Sequence, residues 1–220
     1  RVGHLAELQQ PGGDIAAREP WRMAAAVLYM LGREDEIATR FADQPHAEMM
    51  SQILAKGINS PETSSCGRLF DAACGLAGMR DCAEFEGQAP MEVEALVTEP
   101  VSLLNGWVLN DGCLSLLPML STLTSLSVEQ ASNIFHGTLI SAMTDWILEA
   151  RGNTGCSIVA FGGGCFLNNV LTTGLEDVLT TQGITVLKPI QLSPGDAGLS
   201  FGQAIAAGLF VEQNGEKTCV

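Results

Sequence analysis

The stretch SIVAFGGGCFLNN, residues 157–169, decides the fold because it joins an apolar run to three glycines and a helical pattern. A second apolar run, ITVL at 184–187, leads into SPGDAG at 193–198 and then into a last apolar helix. The order strand, glycine turn, helix, strand, loop, helix predicts a βαβα unit with a parallel sheet. Ligands of such units bind beyond the carboxyl ends of the strands.

The three glycines after the first predicted strand allow two interpretations. Gly162, Gly163 and Gly164 form neither a Walker A loop nor a clean GxGxxG pattern, so the motif alone is weak. Glycines here permit a flat or phosphorylated ligand to approach the backbone, and Asn168 could reach back toward it. A tight structural turn explains the same residues equally well.

Asp196 also has two interpretations. Because it precedes an Ala- and Gly-rich helix, it can act as an N-cap worth about 1 kcal/mol, and the residues alone favour that role. The alternative is a carboxylate at the carboxyl end of a strand, directed at a metal or another ligand.

Composition indicates a globular chain, with 46% hydrophobic and 16% charged residues. The net charge of −14 disfavours binding to nucleic acid, so we expect no nucleic-acid partner. No apolar run reaches the roughly 18 to 20 residues that span a bilayer, and the first residues lack a signal-peptide layout. We therefore expect a cytoplasmic protein without a membrane partner. The chain begins at Arg1 rather than at a Met, and we expect a fragment of something longer.

The positions of the cysteines and histidines argue against disulfide bonds and against a complete metal site. The seven cysteines contain no CxxC pair, which argues against a zinc ribbon and a disulfide framework and favours buried, reduced thiols. The three histidines form no HxxxH pair, so a complete catalytic metal site is not expected within this sequence. His46 is expected to face solvent.

Residues 1–150 are expected to be mainly helical, and residues 151–220 are expected to form the core βαβα unit. One helix should begin near Pro20 and end before Gly32, and Ser127 with Gln130 should form the capping box of the strongest helix. The turn signal NDG at 110–112 predicts a hairpin over residues 107–116.

Three residues in this helical part could carry function. Asp71 is more simply a solvated helix residue, and His136 is more simply a packed or hydrogen-bonded histidine than a catalytic one. Gly87 lies in a predicted loop over residues 84–90, after which Pro90 is expected to begin a helix.

Seven motifs, in this order, resemble the HypF carbamoyltransferase family of [NiFe]-hydrogenase maturation. They are RVGHL (1–5), PGGD (11–14), REPWRMA (18–24), TSSCGRLFDA (63–72), FEGQAPME (85–92), GGCFLN (163–168) and SPGDAGLSFGQA (193–204). They extend over nearly the whole chain, so the resemblance is specific.

The resemblance implies the C-terminal portion of a TsaD-like carbamoyltransferase domain, with the upstream domains absent from this sequence. Its fold class is an α/β lobe of the actin/Hsp70/sugar-kinase type, which is ribonuclease H-like, with several added helices. In the family, a separate YrdC-like domain makes carbamoyl-adenylate from ATP and carbamoyl phosphate. The TsaD-like domain then transfers the carbamoyl group to the C-terminal cysteine of HypE, on the route to the cyanide ligands.

The resemblance also implies roles for individual residues. Asp71 and Gly87 match positions that hold the nucleotide ribose. Gly163, Gly164 and Asn168 match positions next to the adenosine. No residue is implied as a nucleophile or a general base.

Asp196 matches the aspartate of a mononuclear site for a divalent metal, iron or zinc, whose two histidine ligands lie outside this sequence. We therefore expect the isolated fragment to be inactive. A non-catalytic nucleotide-binding or interaction module with a sugar-kinase-like lobe is the alternative function.

Overall fold

A computed structural model describes residues 1–214, which form seven short strands and nine α-helices. The strands, in chain order, are β1 (His4–Leu5), β2 (Leu8–Gln9), β3 (Glu62–Thr63), β4 (Val108–Asn110), β5 (Cys113–Ser115), β6 (Ile158–Ala160) and β7 (Thr185–Leu187). The helices are α1 (Pro20–Met30), α2 (Ile37–Arg40), α3 (Ala47–Ala55), α4 (Cys66–Leu76), α5 (Gln88–Ala95), α6 (Leu117–Leu120), α7 (Val128–Thr154), α8 (Asn169–Thr181) and α9 (Leu199–Asn214).

The main core forms where α1 and α4 pack against each other. The two helices approach closely at Gly75, where an added Cβ would lie 2.8 Å from the carbonyl oxygen of Pro20. Trp21 on α1 and Phe70 on α4 are fully buried, and the Phe70 ring meets Phe135 of α7 edge-on at 4.8 Å between centroids. Aromatic and aliphatic burial therefore holds the helical part of the chain together.

The long helix α7 begins at the predicted capping box. The Ser127 hydroxyl accepts from the backbone N–H of Gln130, and the Gln130 side chain accepts from the N–H of Ser127. The first half of α7 packs into the main core, and its second half packs on the β6–β7 layer. This helix joins the two parts of the molecule.

The predicted hairpin is confirmed, because β4 and β5 pair antiparallel on either side of the turn at Asp111 and Gly112. Both turn residues have positive φ, which suits this tight connection. The strand β1 adds to β5 in parallel, and β2 pairs antiparallel with β3. These small sheets flank the helical core.

The βαβα unit is also confirmed. Strands β6 and β7 run parallel, with Ile158 opposite Thr185 and Ala160 opposite Leu187. The helix α8 connects them and buries Leu175 and Leu179 in a second, smaller core. The carboxyl ends of both strands therefore lie at one edge of the layer.

Two local predictions are wrong. Helix α5 begins at Gln88 rather than Pro90, because Gly87, with φ of 82°, takes the N-cap position. Pro90 then lies in the first turn, where no backbone N–H is required. The cysteines among residues 1–214 are free, but Cys82 and Cys156 are exposed rather than buried. Cys219 lies outside the described residues.

Two further expectations can be compared with the fold. His46 faces solvent, as predicted. Within residues 1–214, the helices are too short or too polar to cross a bilayer.

Candidate functional site

A cleft of about 530 Å³ opens at the carboxyl ends of β6 and β7. The glycine turn after β6 and the loop 193–198 after β7 form two of its walls, and the first turns of α9 line it as well. The N–H of Gly163 donates to the carbonyl oxygen of Pro194 at 2.7 Å, which ties the walls together. The volume falls in the range of small-molecule sites, about 300–1,000 Å³.

The glycine turn presents bare backbone to this cleft. Gly163 has φ of 103°, a conformation that L side chains rarely adopt. A Cβ added at Gly162, Gly163 or Gly164 would meet no atom within 4 Å, so the space in front of the turn is open. The turn can therefore accept a ligand against its backbone, as well as acting as a structural turn.

The opposite wall is tightly built. A Cβ on Gly198 would lie 2.4 Å from the carbonyl oxygen of Ser193, so the loop cannot close with a larger residue there. Gly195 packs against the glycine turn, and its N–H donates to the Ser193 hydroxyl at 3.2 Å. These contacts fix the backbone on either side of Asp196.

Asp196 lines the cleft together with Gly163. The interpretation of Asp196 as an N-cap is wrong, because Gly195 takes the cap position and Asp196 begins the short 3-10 turn Asp196–Gly198. Its carboxylate is exposed and makes no hydrogen bond or ion pair within residues 1–214. It is therefore free to bind a ligand in the cleft.

Asn168 is buried at the start of α8 rather than in the cleft. Its Oδ1 accepts from the N–H of Leu171 at 2.8 Å, which makes it the N-cap of the helix. Its Nδ2 lies 3.0 Å from Nε2 of His136. The side chain thus has partners within the protein, and a nucleotide contact by Asn168 stays a prediction.

His136 is fully buried in α7, as the packed interpretation predicted. Its Nδ1 lies 3.0 Å from the carbonyl oxygen of Ser132, one turn earlier in the helix. Burial lowers the pKa of His136, which favours the neutral ring.

Asp71 is buried, so the expectation of a solvated helix residue is wrong. The reason is tertiary: α4 contacts α1, α5, α6 and α7, which cover even its polar side. Burial raises the pKa of Asp71 to about 7, against the opposing charge of Arg68. Oδ2 lies 2.9 Å from Arg68 Nη2, but at an angle that does not make a hydrogen bond, so this buried oxygen lacks a hydrogen-bond donor.

Gly87 lies at the exposed start of α5, and an added Cβ there would meet open space. Near the other end of the same helix, Glu94 Oε1 accepts from the N–H of Asn169 at 2.7 Å. No sequence pattern indicated the contact by Glu94. The spacing of Arg68 and Asp71 at i and i+3 is a signal that could have revealed their pairing.

The six predicted residues thus separate into groups. Gly163 and Asp196 line the cleft, and Gly164 lies beside it against Gly195. Asp71 and Asn168 are buried behind the glycine turn, and Gly87 is on the surface. Within residues 1–214, no three His, Cys, Asp or Glu side chains gather as a metal site. Asp196 therefore fits a metal as a single oxygen ligand.

The parallel strands, the cleft at their carboxyl ends and the added helices define an α/β lobe of the actin/sugar-kinase type. The chain belongs to the HypF carbamoyltransferase family: the family profile described as "Carbamoyltransferase, Kae1-like Domain, second subdomain" matches residues 1–203. The resemblance and the fold class expected from the sequence are both confirmed.

Three relatives illustrate the match. Carbamoyltransferase HypF2 of Cupriavidus necator is 40% identical over 238 residues, which covers 94% of this chain and 30% of the relative. A "Carbamoyltransferase HypF homolog" of the same organism is 39% identical over 224 residues, covering 94% of this chain and 57% of the relative. A crystal structure of full-length HypF "in the phosphate- and nucleotide-bound form" superposes with a TM-score of 0.83 at 27% identity.

That crystal structure matches 96% of this chain, but the match covers only 29% of the crystallised protein. The chain therefore spans between 29% and 57% of the length of these relatives.

Proposed function

We propose that this chain forms the C-terminal portion of a carbamoyltransferase domain and binds a carbamoylated adenine nucleotide in the cleft between its glycine turn and the loop 193–198. The observation that carries the proposal is the placement of Gly163 and Asp196 on the two walls of one cleft, in a chain of the HypF family. The relative that was crystallised in a nucleotide-bound form supports a nucleotide as the class of ligand.

The glycine turn suits the adenosine end of such a ligand. Its open backbone can lie against a flat base without steric conflict. Because lysine is scarce near the glycines, phosphate groups would be held by backbone N–H groups or by a metal rather than by lysine.

Asp71 adds a second possible contact. Its buried Oδ2 lacks a hydrogen-bond donor, and a ribose hydroxyl would supply one. Gly87, with open space around it, and Asn168, beside the turn, complete the proposed nucleotide contacts. Asp71 and Asn168 lie behind the turn, so their contact with ligand requires that the turn admit it.

The Asp196 carboxylate suits the carbamoyl end of the ligand. A divalent metal, when bound there, supplies Lewis-acid polarisation of the carbamoyl carbonyl. We propose that the acceptor is the C-terminal cysteine of HypE. Its thiolate attacks the carbamoyl carbon, the bond to the phosphate oxygen breaks, and AMP leaves with the electron pair. The histidine ligands of the metal are proposed to lie in the longer protein.

The test uses the full-length protein with Asp196→Ala. We expect this variant to lose bound metal, measured by elemental analysis, and to lose carbamoyl transfer to HypE, measured by mass spectrometry of the acceptor cysteine. Carbamoyl-phosphate-dependent cleavage of ATP should persist, because the family resemblance assigns that step to another domain.

Asp177→Ala is the matched control, since Asp177 is an exposed aspartate on α8 of the same unit. It removes the same charge outside the cleft and should retain metal and transfer. Normal transfer by Asp196→Ala would reject the assignment. Turnover by the 220 residues alone would contradict the proposal that the site is incomplete without the rest of the protein.

A further inference from the structure

His136 makes two hydrogen bonds in full burial. Nδ1 lies 3.0 Å from the Ser132 carbonyl oxygen, and a carbonyl can only accept, so Nδ1 carries the hydrogen. Nε2 is then an acceptor, and it lies 3.0 Å from Nδ2 of Asn168. The two contacts together define one neutral tautomer.

The orientation of Asn168 agrees with this tautomer. Its Oδ1 accepts from the N–H of Leu171, so the amide nitrogen must face the histidine. His136 on α7 therefore fixes the amide that caps α8. Each polar atom in this buried chain has one compatible partner, which is how such networks specify a single arrangement.

The start of α8 follows directly on the glycine turn. Asn168 also directly follows the turn Gly164–Leu167 as its C-cap, and its N–H donates to the Cys165 carbonyl oxygen. Glu94 of α5 holds the next residue through the N–H of Asn169. The position of the turn is thus set from behind by two side chains on neighbouring helices.

We propose that His136 is a positioning residue, which holds the Asn168 cap and through it the glycine turn that lines the cleft. The link to nucleotide binding rests on the function proposed above. The effect of His136 on α8 does not rest on the proposed function, because it depends only on contacts within the protein.

The arrangement requires the neutral ring. On protonation Nε2 becomes a donor, so the Asn168 amide must turn its oxygen toward His136 and its nitrogen toward the Leu171 N–H. The cap is then lost. Glu94 is the charged group that acts on His136, and Phe70 and Phe135 cover the ring at 5.6 Å. Burial outweighs the attraction of Glu94, so the neutral form is favoured near pH 7.

The experiment compares His136→Phe and His136→Gln in the full-length protein by hydrogen–deuterium exchange. Phenylalanine fills the space without an acceptor, so exchange in the first turn of α8 should rise about fivefold, the equivalent of a lost cap of about 1 kcal/mol. Glutamine offers an acceptor oxygen and should restore protection. His46→Gln, at an exposed histidine, is the control.

His136→Leu provides an independent arm if His136→Phe does not fold. Leucine is smaller than phenylalanine and also lacks an acceptor, so the first turn of α8 should lose protection relative to the first turn of α7, whose Ser127 cap is unchanged. Comparison of the two helices within one sample removes differences in exchange conditions.

The affinity for ADP is measured in parallel and should weaken about fivefold in His136→Phe, but not in His136→Gln. Unchanged protection of α8 in His136→Phe, or in His136→Leu where His136→Phe does not fold, would overturn the inference. Increased exchange together with unaltered ADP affinity would overturn the link to the cleft. If the unsubstituted protein does not bind ADP while exchange changes as expected, the proposed function fails and the hold of His136 on α8 is supported.

Discussion

The helical region, residues 1–156, and the βαβα unit, residues 157–214, differ in how much of their apolar surface is buried. The largest fully buried side chains, among them Trp21, Phe70 and Phe135, all belong to the helical region. The βαβα unit has a small core around Phe161, Leu175, Leu179 and Ile184. Its helix α9 is exposed along residues 199–213.

Because of this difference, the two regions have different roles: one stabilises the fold and the other carries the candidate site. The helical region has the dense core that stabilises the fold. The βαβα unit instead provides open backbone and the unpartnered Asp196 carboxylate at its edge. Because α7 and the His136–Asn168 contact join the two, the rigid part can position the open part.

The largest effect is expected from deleting aromatic packing in the helical core. Phe70→Ala should lower the free energy of unfolding by about 3–5 kcal/mol, because the cavity is enclosed on all sides. Leu175→Ala should cost about 2 kcal/mol, near the low end for leucine, because its half-buried neighbours can collapse into the space. Urea denaturation measures both. Equal losses would contradict the contrast between the two regions.

Two glycines on α7 allow the packing of its two halves to be compared. A Cβ on Gly137 would lie 2.4 Å from backbone atoms of Val101, so Gly137→Ala should destabilise the fold by about 1–3 kcal/mol. Gly152, near the other end, has open space and lies in the helix, so Gly152→Ala should stabilise it by about 0.5–1 kcal/mol. Thermal unfolding of both variants measures these changes in stability. A stabilisation by both substitutions would show that the packing at Val101 is not rigid.

Asp71, behind the glycine turn, should give an effect on stability that depends on pH. Its pKa is raised from 3.8 to about 7 in the fold, so its contribution to stability is full below pH 4 and is lost as the pH rises toward 7. Asparagine is neutral at every pH, so Asp71→Asn does not lose stability as the pH rises. The variant also lacks the attraction between a charged Asp71 and Arg68.

We therefore expect the Tm of Asp71→Asn, relative to the unsubstituted protein, to be higher at pH 8 than at pH 4 by about 8–16 °C, because a rise in pKa from 3.8 to about 7 corresponds to about 4 kcal/mol. Asp145→Asn, at an exposed position on α7, is the control. A Tm difference that does not change with pH would show that Asp71 keeps an ordinary pKa in the fold.

Sequence patterns correctly predicted those structural elements that are determined by residues close together in the chain. The Ser127 capping box, the hairpin at Asp111 and Gly112, and the order of the βαβα unit depend on residues close in sequence. The same reasoning was wrong for Asp71 because four other helices cover α4. It was also wrong for Asp196 because Gly195 takes the cap position. No local pattern encodes either fact.

The sequence by itself determined the fold class, the position of the glycine turn and the family, since these depend on periodicity and on contiguous motifs. The tertiary structure decided which of those residues meet. It placed Gly163 and Asp196 on opposite walls of one cleft, because parallel strands end at the same edge. It also paired His136 with Asn168, 32 residues apart, because burial leaves each of them only the other as a partner for its remaining polar atom.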